Sequence, residues 1–353
     1  MKKIRFLFIM ALLIVIVSCE ESEKENKKHF TNGVFISNEG NFSSNNGSVS
    51  FFDPDSNKIT NEIFNKINGT YPGDVVQSVG IGDGKLFIVA NNSEAVQVAK
   101  LGTMDFLGEI RASYPRYFVY GGNSKGYLTN GQFPGEVLVI NTSTYTVEKS
   151  IPAGTSPENL VINGNRLIVA NGKWGMDTTI TVIDMNNEEV IQTVPVGDGP
   201  TDLAVDKNGD IWVLCQGIVT YNDDFSAIIY ESDSRLIKLD GLNYTKKWTA
   251  VIGQKGDYYN PWLLASDKEA GIVYFSEIDG VYSVDVSQPA IADQPFISDL
   301  NPYGLEVDPA TGNVFCFEST GFTTAGKVLV YSSKGEKLFE GETGIAPNGA
   351  AFN

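Results

Sequence analysis

His29 is the only histidine in this chain of 353 residues, and it precedes every segment patterned to fold. The rest of the chain lacks imidazole. That excludes Ser-His-Asp and Cys-His hydrolysis, histidine-based zinc centres and a histidine axial ligand to haem or cobalt. Carboxylates are the remaining acid–base groups. Glu277, Asp279 and Glu318 stand where apolar runs give way to turns, positions at which acidic side chains are also often simply solvated. Asp53-Pro54-Asp55-Ser56-Asn57 and Asp223-Asp224 offer oxygen ligands for calcium, but Asp at a hairpin turn equally bonds its own backbone. Cys215 and Cys316 fall in corresponding runs of two non-adjacent repeats, which argues for buried thiols over a disulfide. No catalytic residue and no metal centre is expected, and the chain is expected not to be an enzyme.

A second set of residues suits binding. Amides and acids end one run in each repeat: Asn38, Asn91, Asn130, Asn171, Gln216, Glu277 and Glu318. They either face a ligand or cap strand ends, and one equivalent per repeat is compatible with both. Large aromatics flank recurring prolines at Tyr71, Tyr114, Trp262 and Tyr303, joined by Arg116, Tyr117, Glu158, Asn301 and Asn348. Loops add Phe133, Trp174, Tyr221 and Phe322. Aromatic rings at partly wet positions commonly mark recognition. The candidate ligand-binding set is therefore Tyr71, Asn91, Tyr114, Arg116, Asn130, Phe133, Asn171, Trp174, Gln216, Tyr221, Trp262, Glu277, Tyr303, Glu318 and Phe322.

The elements that would position them follow from the prolines. Pro72, Pro115, Pro157, Pro200, Pro261, Pro302 and Pro347 are spaced by 43, 42, 43, 61, 41 and 45 residues. A period near 42 residues built from short β-rich runs and turns is that of a propeller blade. In 156–198, for example, four apolar runs are separated by Asn, Gly and Asp, which tolerate the left-handed conformations of tight hairpins. The same cycle recurs in 71–113, 114–155, 199–256, 259–298 and 301–344. Segment 33–69 has only three runs, the third near residues 59–64, and the tail from Pro347 supplies the missing one. The expected fold is all-β: a seven-bladed propeller of four-stranded antiparallel blades, closed by the C-terminal strand pairing with the N-terminal blade. The long period of the fifth repeat places an insertion at 217–234, either beside a binding face or as a plain surface loop.

The N-terminal end reads as an export signal. Lys2, Lys3 and Arg5 precede an apolar run of twelve residues, 6–17, too short to span a bilayer. Ile16-Val17-Ser18-Cys19 then resembles a bacterial lipobox, which implies lipidation of Cys19 after removal of 1–18 and a lipid anchor without a membrane span. Residues 19–32 begin with a charged stretch suited to a flexible tether, leaving 33–353 as the propeller. Its acidic cluster resembles the surface-export signal of Bacteroidota outer-membrane lipoproteins. Loss of 1–18 would take the net charge from −17 to −20, which excludes nucleic acid as a partner because phosphate binding needs a basic footprint.

Ile168-Val169-Ala170-Asn171, Thr181-Val182-Ile183-Asp184 and Val196-Gly197-Asp198-Gly199-Pro200-Thr201-Asp202-Leu203-Ala204-Val205 resemble the repeats of the YncE-like family of seven-bladed propellers, over about 33–353. With the lipobox and acidic tether, the chain resembles the BtuG family of surface lipoproteins. That resemblance implies capture of cobalamin, carried as a transported ligand and not as a bound cofactor. It also implies delivery to a TonB-dependent barrel at the outer membrane. A flat macrocycle fringed with amides is a suitable complement for aromatic and amide side chains. The alternatives are a carbohydrate- or protein-binding propeller of another uptake system, or a carboxylate-dependent propeller enzyme.

Overall fold

The computed structural model describes residues 30–172, 175–253, 262–267, 269 and 271–353. Cys19, His29, Trp174 and Pro261 lie outside them. Seven four-stranded antiparallel sheets follow one another around a ring. Blade 1 is made from both ends of the chain, in the order Pro347–Phe352, Val34–Asn38, Ser48–Asp53, Lys58–Thr60 from the axis outward. Its register pairs Val34 with Phe352, Ile36 with Ala350 and Asn38 with Pro347. Gly33 and Asn353 extend the seam by exchanging backbone hydrogen bonds of 3.1 and 3.0 Å. Blades 2 to 7 begin at the axis with Val76–Gly82, Pro115–Gly122, Pro157–Asn163, Pro200–Val205, Leu264–Asp267 and Gly304–Val307.

The second strands, such as Lys85–Ala90, Arg166–Asn171 and Ile211–Cys215, are almost wholly buried along their length. They read as unbroken apolar runs because each sheet is covered on both faces by its neighbours. The core is accordingly seven layers, one per blade junction. Phe35, Phe51 and Leu86 fill the junction of blades 1 and 2, and Ile36, Phe317 and Val328 that of blades 7 and 1. Cys215 and Cys316 are free, buried members of such layers, and burial pushes the Cys215 thiol up to about 12.

The prolines have a common role. Pro115, Pro157, Pro200 and Pro347 each open an innermost strand opposite the residue that ends the second strand: Asn130, Asn171, Cys215 and Asn38 respectively. A register shift follows each one. In blade 2 the register equivalent is Val76, opposite Ala90, so Pro72 sits four residues ahead of its strand.

Two local readings are revised. The third run of blade 1, expected near 59–64, is a strand only over Lys58–Thr60; a short helix, Ile63–Asn68, follows. Ile63 and Phe64 reach the core of the blade 1–2 junction through that helix, and Asn68 ties it to blade 2 by accepting from Phe106 N and donating to Met104 O. The chain also joins the propeller earlier than residue 33. Phe30 is buried, donates its N–H to Gly102 O at 2.7 Å and packs against Phe51. The insertion of blade 5 is a hairpin, Val219–Tyr221 with Ile228–Glu231, between the second and third strands.

Deleting residues 347–353 should remove the innermost strand of blade 1 and expose the blade 7–1 layer. The expected loss is roughly 5 kcal/mol or more, comparable with the whole stability of a marginal domain. Denaturant unfolding checks this, and an unchanged midpoint would count against closure by the tail.

Candidate functional site

At the end of the ring where the innermost strands begin, a cavity of about 620 Å³ opens around the axis. The structure brings five of the sequence-derived candidates into its wall: Arg116, Gln216, Trp262, Tyr303 and Phe322. On the blade 6–7 side the wall is aromatic. Trp262 and Tyr303 lie 5.2 Å apart between centroids, and Phe322 meets Tyr303 edge-on at 5.4 Å. Across the ring, blades 3 to 5 contribute Arg116, Tyr117, Glu158, Thr201, Asp202 and Gln216.

Polar contacts between innermost strands hold this wall in place. Ser78 Oγ donates to Arg116 O at 2.8 Å, joining blades 2 and 3. The Arg116 guanidinium grips Glu158 with Nη2 and Nε both 2.9 Å from its carboxylate oxygens, joining blades 3 and 4. Both side chains are buried; Nη2 makes the hydrogen bond while Nε, within ion-pair distance, is left without one, so the pair offsets only part of their desolvation. Asn159 donates to Asp202 Oδ1, and Leu264 N donates to Asp202 Oδ2 at 2.8 Å, so one carboxyl links blades 4, 5 and 6. Asn348 joins blades 1 and 2. Its amide accepts from Ser37 Oγ at 2.6 Å and donates to Gln77 O at 2.9 Å and Glu39 Oε1 at 3.2 Å. Tyr303 also donates to Glu39, at 3.0 Å.

This enclosure alters the acids. Burial raises Asp202 to about 7, against the hydrogen bonds from Leu264, Leu203 and Asn159; nearby Glu158 adds to the rise. Glu306, deeper along the axis, is raised to about 8 by burial and then by the charge of Asp202. Burial likewise lifts the Tyr303 hydroxyl, with Glu39 reinforcing the effect.

The other sequence candidates are placed elsewhere. Asn130 and Asn171 are buried inside their blades. Asn130 Oδ1 accepts from Tyr114 N at 2.7 Å, and Asn171 Oδ1 accepts from Gly154 N at 3.1 Å. Asn38 serves Gly344 N in the same way, so three repeats use the strand-ending amide to hold the turn before the proline. Asn91 donates to Pro115 O at 2.9 Å in the next blade. Tyr71 bonds Glu62, while Tyr114 and Phe133 are exposed away from the cavity lining. Tyr221 packs on Phe225 within the blade 5 hairpin. Glu277 and Glu318 end their second strands outside the cavity lining. Among the described residues no group of three or more His, Cys, Asp or Glu side chains could hold a metal.

Glu39, Gln77, Thr201, Asp202 and Ser319 line the cavity but were not among the sequence candidates. A positional signal existed for three of them. The residues just after Pro115, Pro157 and Pro347 are Arg116, Glu158 and Asn348; by register, Gln77 and Thr201-Asp202 are their counterparts in blades 2 and 5.

Because Asp202 and Glu306 keep protons in the folded state that the unfolded chain releases, their contribution to stability is complete below the ordinary carboxylate range. It is lost as pH rises through about 7 and about 8. Glu306→Gln should flatten this fall and raise stability at pH 8 by on the order of 1 kcal/mol, discounted for access from the axis. Thermal unfolding of both proteins from pH 5 to 9 checks the difference, and parallel curves would contradict it.

Several solved structures share this architecture. A hydrazine synthase from Kuenenia stuttgartiensis matches with a TM-score of 0.65 at 16% identity, covering 90% of this chain and 99% of that one. A quinonprotein alcohol dehydrogenase-like protein from Bacteroides thetaiotaomicron matches at 0.62 and 13%, covering 92% and 79%. A periplasmic gluconolactonase from Pseudomonas aeruginosa matches at 0.62 and 13%, covering 91% and 98%. At such identities the likeness is one of fold alone. It nevertheless corrects the expectation that the chain is not an enzyme: the same architecture is that of a synthase and a lactonase, so the fold is no ground for excluding catalysis. No curated protein matches the chain. The sequence profile of one family does match, over residues 32–343, and the chain therefore belongs to that family, described as a domain of unknown function (DUF5074).

Proposed function

We propose that this protein is a lipid-anchored propeller of the outer-membrane surface that captures a corrinoid at the axial mouth and passes it to a TonB-dependent barrel. The observation that carries the reading is the make-up of the mouth: an aromatic arc of Trp262, Tyr303 and Phe322 on one side, and hydrogen-bonding side chains from blades 3 to 5 on the other. A flat ring edged with carboxamides has the matching chemistry, apolar faces for the arc and N–H and C=O groups for Asp202, Glu158 and Gln216. The cavity volume lies within the usual range for small-molecule sites. A corrinoid exceeds it, so the bound ligand would seat one edge in the mouth and stand proud of the rim. The lipobox at Cys19 and the acidic stretch after it support the surface location by resemblance.

Calorimetric titration with cyanocobalamin is the test. Saturable binding at micromolar concentration or tighter is expected, and Trp262→Ala should weaken it about 30-fold, as for removal of a buried aromatic anchor. Absence of heat at those concentrations would retire the corrinoid reading.

A second reading is favoured by Asp202. A carboxyl titrating near 7 at an open mouth is suited to general acid–base work at neutral pH, and a gluconolactonase is among the proteins of similar fold. This reading predicts hydrolysis of a sugar lactone that falls at least a hundredfold in Asp202→Asn. A panel of aldonolactones followed by proton release decides it; turnover unaffected by the substitution, or none at all, removes it.

A further inference from the structure

A second cavity of about 470 Å³ adjoins the mouth along the axis, between the innermost strands, and the two share Gln77, Tyr117, Asp202, Leu263 and Asn348 in their walls. The chemistry of this channel changes with depth. Near the mouth it is polar, with Asn159 and Asp202; deeper, the Glu306 carboxyl stands level by register with Val119 and Val161. One polar group of the mouth and one of the channel have hydrogen-bonding capacity that the protein leaves unused. Thr201 Oγ1, in the wall of the mouth, is buried without a hydrogen-bond partner. The Glu306 carboxyl is steadied by the Ala350 backbone N–H, whereas a carboxyl can take several such bonds. Buried polar groups of this kind are normally satisfied, by protein or by something bound.

We propose that the axial channel is a subsite for a narrow, uncharged hydrogen-bonding arm, a carboxamide or hydroxyl on a short aliphatic chain, carried by the molecule held at the mouth. The inference rests on the mouth being a ligand site, and it adds how far that ligand reaches. The head of the arm would bond Glu306 at the level of Val119 and Val161, after its chain has passed Thr201 in the mouth and Asn159 and Asp202 below it. Charged arms are disfavoured from both sides. An anion would face two acids, and an ammonium group would need those acids ionised against the burial that raises both of them.

Gly349 supplies the test. It lines the channel, and a β-carbon built there would meet only Glu306 Oε1 and Ser37 Oγ, both at an ordinary 3.6 Å. Gly349→Leu should therefore fill the channel while leaving the strand intact, with a thermal midpoint close to that of the unsubstituted protein. Glu306→Leu, which removes the hydrogen-bonding head without adding bulk, serves as the second variant. The probes are propionamide, followed by NMR line shifts at millimolar concentration, and cyanocobalamin, followed by calorimetry. Saturable propionamide binding that falls at least tenfold in both variants supports the subsite. So does a cyanocobalamin affinity that falls tenfold in Gly349→Leu. If propionamide does not saturate and cyanocobalamin binds Gly349→Leu as it binds the unsubstituted protein, the channel proposal fails and the mouth stands. If propionamide binds and weakens in both variants while cyanocobalamin does not bind, the corrinoid reading fails and the channel stands; propionamide binding equal in all three proteins overturns the channel. If neither binds, both fall.

Discussion

The hydrogen-bonded pairing of Pro347–Phe352 with Val34–Asn38 is the constraint on which the other contacts depend. Each blade buries both faces only because a neighbour stands on either side, so a ring with one open junction would leave two apolar sheets exposed. Here that junction is sealed by chain ends more than 300 residues apart, and it buries Ile36, Phe317 and Val328 in the same step. Such a contact carries a loop-closure entropy set by nearly the whole length of the chain. The last strand is also the one that brings Asn348 to the axis. Closure of the ring and completion of the mouth are thus one event.

This coupling explains why the polar side of the cavity wall is built mainly from innermost strands, whereas the aromatic arc comes from the segments before them and from a loop of blade 7. The residues just after the strand-opening prolines point toward the axis and meet their counterparts in the adjacent blades. Ser78, Arg116, Glu158, Asn159, Asp202 and Asn348 each bond across a blade boundary. A site assembled this way is preorganised, because moving one lining side chain means shifting a blade. It also exacts a cost in charge burial, visible in the raised pKa values of Asp202 and Glu306.

The architecture was legible because it is periodic. Prolines at intervals mostly near 42 residues and apolar second strands imply the blade number, the strand order and the closure at Pro347. Side-chain direction was less legible. The strand-ending asparagines recur as regularly as the prolines, but in Asn38, Asn130 and Asn171 the regularity reflects a geometric need: proline has no N–H, and the amide holds the turn ahead of it. Tyr71, Tyr114 and Trp262 occupy similar sequence settings, and only Trp262 reaches the cavity. Blade 2 begins its register at Val76 rather than at Pro72, a shift that alignment on prolines alone conceals. Gln77 was missed for that reason. Asp202 was missed because an acid beside a turn reads as solvated until three neighbouring strands are seen to enclose it.

Charge decides what such a mouth can select. Among the described residues lining it, Arg116 is the one cation, and its guanidinium is held by Glu158. Glu39 is engaged by Tyr303 and Asn348. Little unpaired charge is left to steer a ligand, in a chain whose overall charge of −17 already repels anions. Discrimination must then come from planarity against the aromatic arc and from hydrogen-bond pattern against Asp202, Thr201 and Gln216, which reject a ligand by leaving buried polar groups unmatched. Capture and catalysis would use the same wall. The difference between them is whether the proton on Asp202 stays in a hydrogen bond to the ligand or is transferred to it.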